Sequence, residues 1–184
     1  MNATLISTNE WNAKTFWFVM RAYKNEKQAE DKLKAAGMEF FIPKCYAVRV
    51  YHGVKSKRLV PAIPSLVFVH ASHSEITDFK KQYNSLQFVT WEKSTGIEYI
   101  TVPDEQMDNF ISVASNYEKG MIYLTPNEID LKRGTRVRIH GGKLDGVTGM
   151  FMRVQGKRDR RVVVILDGIV AIAAAVRPDL IEII

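Results

Sequence analysis

Three sets of residues in this 184-residue chain have types and spacings that could do chemistry. His70 and His73 are spaced like a metal pair, and Cys45 offers a thiol, but a zinc centre needs further ligands at recognisable spacing and none accompanies them. Two histidines near a helix start are the simpler reading. Asp104 and Glu105 follow Pro103, where carboxylates face the partial positive charge of a helix N-terminus. Gly141, Gly142 and Gly146 lie in "HGGKLDGVTG", which lacks the strand-then-helix context and the Lys-Ser/Thr of a phosphate loop. No nucleophile and base stand together as a pair. The chain is therefore expected to bind and not to catalyse, with no cofactor and no metal.

Composition narrows the class of partner. The net charge is +6 and the pI about 9.4, which favours acidic partners. From Leu131 to Ile184 there are 11 Lys/Arg and 5 Asp/Glu, leaving 15 of each in the rest of the chain, so the whole excess sits in the tail. A hydrophobic content of 46% supports a real core. The longest apolar run, Gly168 to Val176, is far short of a membrane span, and the first residues lack the layout of a signal peptide. A cytoplasmic protein is expected.

The elements follow from periodicity. "FWFVMRAY" (16–23) reads as a strand. The next segment reads as a helix, with Asn25 and Gln28 at capping-box spacing, Ala29, Leu33 and Ala36 on one face, and Gly37 as its stop. "EFFIPKCYAVRVY" (39–51) and "RLVPAIPSLVFVH" (58–70) read as two long strands joined by a basic hairpin tip, "HGVKSK" (52–57). Ser72 and Glu75 open a second helix with Ile76, Phe79 and Tyr83 on one side. "LQFVTW" (86–91) is a further strand, and a third helix after Pro103 carries Met107, Phe110, Ile111 and Ala114. The order is βαββαβα over residues 14–117. Residues 118–130 show no sustained period and read as a linker, and residues 131–184 read as five short strands forming a small closed barrel. In that barrel the glycine turn would join the first two strands, with Leu144 plugging one end.

These pieces together resemble the NusG family of transcription elongation factors. "WFVM" from Trp17 is similar to the aromatic first strand of the family's N-terminal domain, "IPK" (42–44) to its second strand and "AIPSLVFV" (62–69) to its third. "GGKLDGVTG" resembles the KOW motif, carried here by Gly142, Lys143, Leu144, Gly146 and Gly149. The family's third strand usually has an aromatic before its proline and Gly-Tyr or Asn-Tyr after it, whereas this chain has Ile63 before Pro64 and Ser65-Leu66 after it. In that respect it is closer to the specialised, operon-dedicated paralogues of RfaH and UpxY type.

The resemblance implies an α+β fold: an antiparallel sheet with helices, a ferredoxin-like variant, followed by an SH3-like KOW barrel. It implies a factor that bridges the cleft of RNA polymerase and suppresses pausing or termination. Trp17, Phe18, Ile63, Pro64 and Leu66 match the side that docks on the polymerase clamp, and about half of these five are expected in the core. Thr77, Asp78 and Lys80 match the side that reaches the opposite gate loop. Lys55, Lys57 and Arg58 could reach phosphates of non-template DNA or upstream duplex, or stand as a solvated loop. "KRDRR" (157–161) could meet RNA, ribosome or an acidic protein, or simply solubilise a turn. A ribosomal or termination-factor partner is implied for the KOW domain. In "VAIAAAV" (170–176) the bulkier Val170, Ile172, Ala174 and Val176 are expected to face the barrel, leaving Ala171, Ala173 and Ala175 as a candidate docking face. The alternative is a KOW-containing RNA-binding or ribosome-associated protein whose affinity lies in the basic tail.

Overall fold

The computed structural model describes residues 13–23, 25–93, 96–116, 121–125, 128 and 134–184. The chain divides into two compact units, one drawn from Met1–Pro43 and Ile63–Asp104, the other from Lys44–Ala62 and Glu105–Ile184. Both are built on antiparallel sheet, and with the helices this makes a mixed α+β chain.

In the first unit β1 (Phe16–Ala22) is the central strand, because its apolar side chains alternate onto two faces that are both buried. It pairs with β5 (Leu66–Ala71) on one edge, and β2 (Glu39–Phe41) pairs with β5 beyond it. The other edge of β1 is shared by β6 (Leu86–Phe88) and β9 (Thr101–Val102). Helix α1 (Glu26–Ala35) starts where the Asn25 side chain accepts from the Gln28 amide, 3.2 Å away. It buries Ala29 and Leu33, whereas Ala36 falls at the C-cap and is exposed. Helix α2 (His73–Gln82) starts in a full capping box: the Glu75 amide donates to Ser72 Oγ, and the Ser72 amide donates to the Glu75 carboxylate. Ile76 joins Phe18, Met20, Leu33, Val67 and Val69 in one apolar cluster.

Both long strands expected between residues 39 and 70 are broken, and the breaks create a new element. After β2 the chain stops pairing at Ile42 and Pro43, since proline has no N–H to donate and restricts the residue before it. Then β3 (Lys44–Tyr51) and β4 (Val54–Pro61) form a two-stranded ribbon of their own, and after a turn over residues 62–65 the chain enters β5. The ribbon's tip is only His52 and Gly53, both with positive φ (46° and 78°), the mark of a tight two-residue hairpin. Lys55 and Lys57, expected at the tip, are therefore strand residues, as is Arg58. A second small hairpin, β7 (Thr90–Lys93) with β8 (Gly96–Tyr99), takes over the end of "LQFVTW".

The second unit holds most of α3 (Asp104–Ala114), which buries Met107, Phe110, Val113 and Ala114, and a six-stranded antiparallel sheet. That sheet comprises β10 (Ile122–Leu124), β11 (Thr135–Ile139), β12 (Thr148–Arg153), β13 (Arg160–Leu166), β14 (Val170–Ala174) and β15 (Ile181–Ile183), in the order β10-β14-β13-β12-β11-β15. The path has two ends and does not close on itself. Strand β10 arises inside the stretch expected to be a linker, because Ile122 and Leu124 complete an apolar face against Ala173 and Ala171. Of residues 118–130, only 121–125 and 128 are described.

Candidate functional site

The turn before β5 presents Ile63 and Pro64. Pro64 is exposed and Ile63 half-buried. The turn is held from three sides: the Ser65 amide donates to Glu26 of α1 at 2.6 Å, the Ala22 amide donates to Ser65 O at 2.8 Å, and the Leu66 amide returns to Ile63 O. Ser65 itself has φ 64°, a left-handed conformation that costs a residue with a side chain. A glycine or asparagine would sit there with less strain, which gives a physical reason for the Gly or Asn that the resemblance expects at this position. Of the other residues read as polymerase-facing, Trp17, Phe18 and Leu66 are buried (4%, 0% and 7% exposed), and Phe18 lies at the heart of the first unit's core.

The start of α2 lies past the opposite end of β5, six strand residues away, roughly 20 Å at 3.3 Å per residue. Thr77 and Asp78 are exposed there, with Asp78 pairing Lys81 at 2.6 Å. Lys80 is half-buried: its amine lies 4.6 Å from the centre of the Phe88 ring and donates to Gln87, and burial lowers its pKa.

The two histidines with metal-pair spacing occupy opposite faces of the sheet. His70 stacks on Trp17, with centroids 4.9 Å apart, and its Nδ1 lies 2.6 Å from Glu39. His73 stacks on Phe88 and tilts against Tyr99, where burial, followed by the charge of Lys80, lowers its pKa. It also faces Phe18, the neighbour of Trp17 along β1, and successive strand residues point to opposite sides. Among the described residues no three His, Cys, Asp or Glu side chains gather as a metal site.

The ribbon exposes most of its side chains. Tyr46, Val48, Val50, Tyr51 and Val54 are 48 to 75% exposed, an unusual concentration for apolar strand residues. Lys55, Lys57 and Arg58 are exposed with them, and the Lys57 amine lies 3.9 Å from the centre of the Tyr46 ring. The aromatic and aliphatic members of this surface were not singled out from sequence. Their signal was the alternation "YAVRVY" facing "VKSKRL" across a His-Gly turn.

The glycine turn joins β11 to β12. Gly141, Gly142 and Gly146 take positive φ, and the Asp145 carboxylate accepts from the Gly141 amide. Lys143 is exposed and Leu144 half-buried in the short 3-10 turn Gly142–Leu144, while neighbouring Val147 is fully enclosed. Gly149, the motif's last residue, answers to a close approach: a Cβ there would lie 2.8 Å from Val163 O on β13.

The alternation expected for residues 170–174 holds in register. Ala171 and Ala173 share a face with Ile165, Val163 and Met150, while Val170, Ile172 and Ala174 take the other. The alanine face is not open, however. Ala171 and Ala173 are completely buried in a cluster with Leu124, Met152 and Val154. On the same face Asn109 of α3 accepts from the Thr148 amide at 3.1 Å, and Gln106 and Asn109 line a cavity of about 310 Å³ with Arg136, Met150, Val163 and Ile165. Helix α3 thus meets the sheet at β12 through Asn109. Ala175 lies beyond the end of β14 and is exposed, with Val176 half-buried, so the stripe is two alanines long.

Among the described residues no helix is long and apolar enough to cross a membrane. No family model matches the chain, and no curated protein matches it. Among solved structures, one of NusG from Thermotoga maritima, described as showing domain interaction, is similar over 94% of this chain and 99% of that chain, with 20% identity and a TM-score of 0.46.

Proposed function

We propose that the chain is a transcription elongation and antitermination factor of NusG type, a specialised paralogue dedicated to particular operons. It acts by binding RNA polymerase across its cleft, not by catalysis, and suppresses pausing or termination. The observation that carries the reading is where the resembling motifs fall. "WFVM" is the central strand of the first sheet, and "IPK" and "AIPSLVFV" are the two points where the ribbon leaves and rejoins it. The motif "GGKLDGVTG" is a glycine turn between two strands of a separate sheet, which we read as an SH3-like KOW barrel. The Ile63–Pro64 turn and the start of α2 stand at opposite ends of β5, a separation suited to touching two sides of a cleft. Lys55, Lys57 and Arg58 add contact to nucleic acid in the transcription complex.

The test is terminator read-through in purified transcription with the full chain. Read-through should rise, and Ile63→Glu should abolish the effect while leaving the melting temperature nearly unchanged, because a half-buried residue on a turn can accept a charge that an apolar docking patch cannot. No binding to polymerase would sink the reading.

A second reading, an RNA-binding or ribosome-associated protein, is favoured by the turn between β12 and β13. There Arg153, Lys157, Arg158 and Arg160 are all exposed, Arg153 stands directly opposite Arg160, and the Arg160 guanidinium lies 5.9 Å from the centre of the Phe151 ring. Like charges facing each other destabilise a ladder unless an anion offsets them. Retention of structured RNA without polymerase binding would select this reading.

A further inference from the structure

We propose that one face of the β3–β4 ribbon is a track for single-stranded nucleic acid, with bases lying on Tyr46, Val48 and Val50 and phosphates carried by Lys55 and Lys57. The proposal rests on the nucleic-acid contact of the proposed function and narrows it to a ligand and a face.

Register is the starting point. Tyr46 faces Leu59, Val48 faces Lys57 and Val50 faces Lys55, and directly opposed residues share a side of the ladder. Toward the tip, β3 contributes Tyr46, Val48 and Val50 to this side while β4 contributes Lys55 and Lys57, with Leu59 opposite Tyr46; Lys44 and Pro61 pair at the ribbon's base. The result is an apolar rail beside a cationic rail, about 5 Å apart. The other side has no such division: Arg49 and Tyr51 come from β3, and Arg58 and Val54 from β4. Arg58 therefore belongs to the far side, although sequence groups it with the lysines.

Charge and chemistry select the occupant. Between residues 44 and 62 there are five Lys/Arg and no Asp/Glu, so the occupant is an anion. Arg49, Lys55, Lys57 and Arg58 form no ion pair among the described residues, so their charge is available. An acidic peptide would satisfy the lysines but leave Tyr46, Val48 and Val50 in water. A base offers an apolar face that an aromatic ring can stack on, next to a phosphate. Lys57 and Tyr46 already bring an ammonium and a π face within 3.9 Å of each other. Lys55 and Lys57 are two residues apart on a strand, about 7 Å, comparable to the phosphate repeat of an extended single strand. In a duplex the base faces are stacked on one another and Tyr46 has nothing to lie on.

The experiment is fluorescence anisotropy of the full chain with a labelled 12-nucleotide single strand and with its duplex. The single strand should bind at least tenfold more tightly. Tyr46→Ala should weaken it about tenfold, the loss of one stacked base, with the salt dependence unchanged, and Tyr46→Phe should bind normally. Changing Lys55 and Lys57 together to Ala should lower the slope of log affinity against log salt by about 1.4, two phosphates at 0.7 each. Tyr51→Ala, on the far side, should bind as the parent does. Equal affinity for duplex, no effect of Tyr46→Ala, or equally tight binding of an acidic peptide overturns the track. If the lysine pair still changes the salt slope in that case, the phosphate contact of the proposed function survives. If nothing changes the slope, both fail. Should Tyr46→Ala disturb the ribbon by circular dichroism, ultraviolet cross-linking of a bromouracil strand to the parent decides: an adduct within residues 44–51 supports the track, and an adduct elsewhere overturns it.

Discussion

Gly149→Ala tests whether the last glycine of the turn motif is there for packing. Its φ is not in the left-handed region, so an added methyl meets no conformational penalty of that kind. It does meet β13: Val163 O at 2.8 Å, Val162 Cγ1 at 2.9 Å and the Val163 carbonyl carbon at 3.2 Å. Two of those atoms are backbone, and β13 is held on both sides, with Val163 paired to Met150 and Ala173. The strand cannot yield without loosening two ladders. Overpacking of this kind costs about 1–3 kcal/mol, and the stiffer unfolded chain of an alanine variant offsets about 0.4–1 kcal/mol of it. A net loss of about 1–2 kcal/mol is expected, or a fall of about 2–8 °C in melting temperature for a chain of this size. Urea unfolding followed by circular dichroism gives the first number. Thermal unfolding gives the second, and a double-mutant cycle with Val162→Ala, which removes the Cγ1 that the methyl strikes, tests the contact itself. The two changes should couple favourably by about 0.5 kcal/mol or more, since contacting residues are not additive. A Gly149→Ala protein as stable as its parent, or strict additivity with Val162→Ala, would refute the packing explanation.

Ser65→Gly should stabilise the chain by about 0.5–1 kcal/mol in the same urea assay, because φ 64° suits glycine and the turn's backbone bonds need no side chain. Asn109→Ala should cost about 1–2 kcal/mol by leaving the Thr148 amide without its acceptor, and hydrogen exchange at Thr148 should accelerate. His73 has a pKa below its ordinary value, first from burial and then from Lys80, so its neutral form favours the folded state. That contribution is fully present above the unfolded value of about 6.5 and is lost as pH falls through the lower folded value; His73→Phe should flatten the stability profile between about pH 7.5 and 5. Ser72→Ala should remove the capping box at a cost of about 1 kcal/mol, read as an earlier melt of α2.

The parts legible in the sequence were those whose causes lie within a few residues. Asn25 with Gln28 and Ser72 with Glu75 mark two helix starts that the structure reproduces, since a cap bonds three residues ahead and needs no distant partner. The glycine turn at 141–149 was visible for the same reason, as was the alternation of residues 170–174. Pro43 and Pro64 were visible too, but not what they do: local pattern merged each flanking pair of segments into one strand, whereas pairing assigns one piece to the sheet and the other to the ribbon.

What the sequence determined by itself is therefore a string of helices, strands and turns, with a basic tail and a basic stretch near residue 55. The tertiary structure decided which faces those residues occupy. Lys55 and Lys57 join Tyr46 on one side of a ribbon, and Arg58 is sent to the other, only because a two-residue tip sets the register. The Ile63–Pro64 turn is fixed by Glu26, 39 residues from the Ser65 amide it holds, Thr148 is held by Asn109 of α3, also 39 residues away, and the alanine face of β14 is buried against Leu124, Met152 and Val154. Burial and register are properties of partners brought together by folding, and no window of a few residues contains both partners.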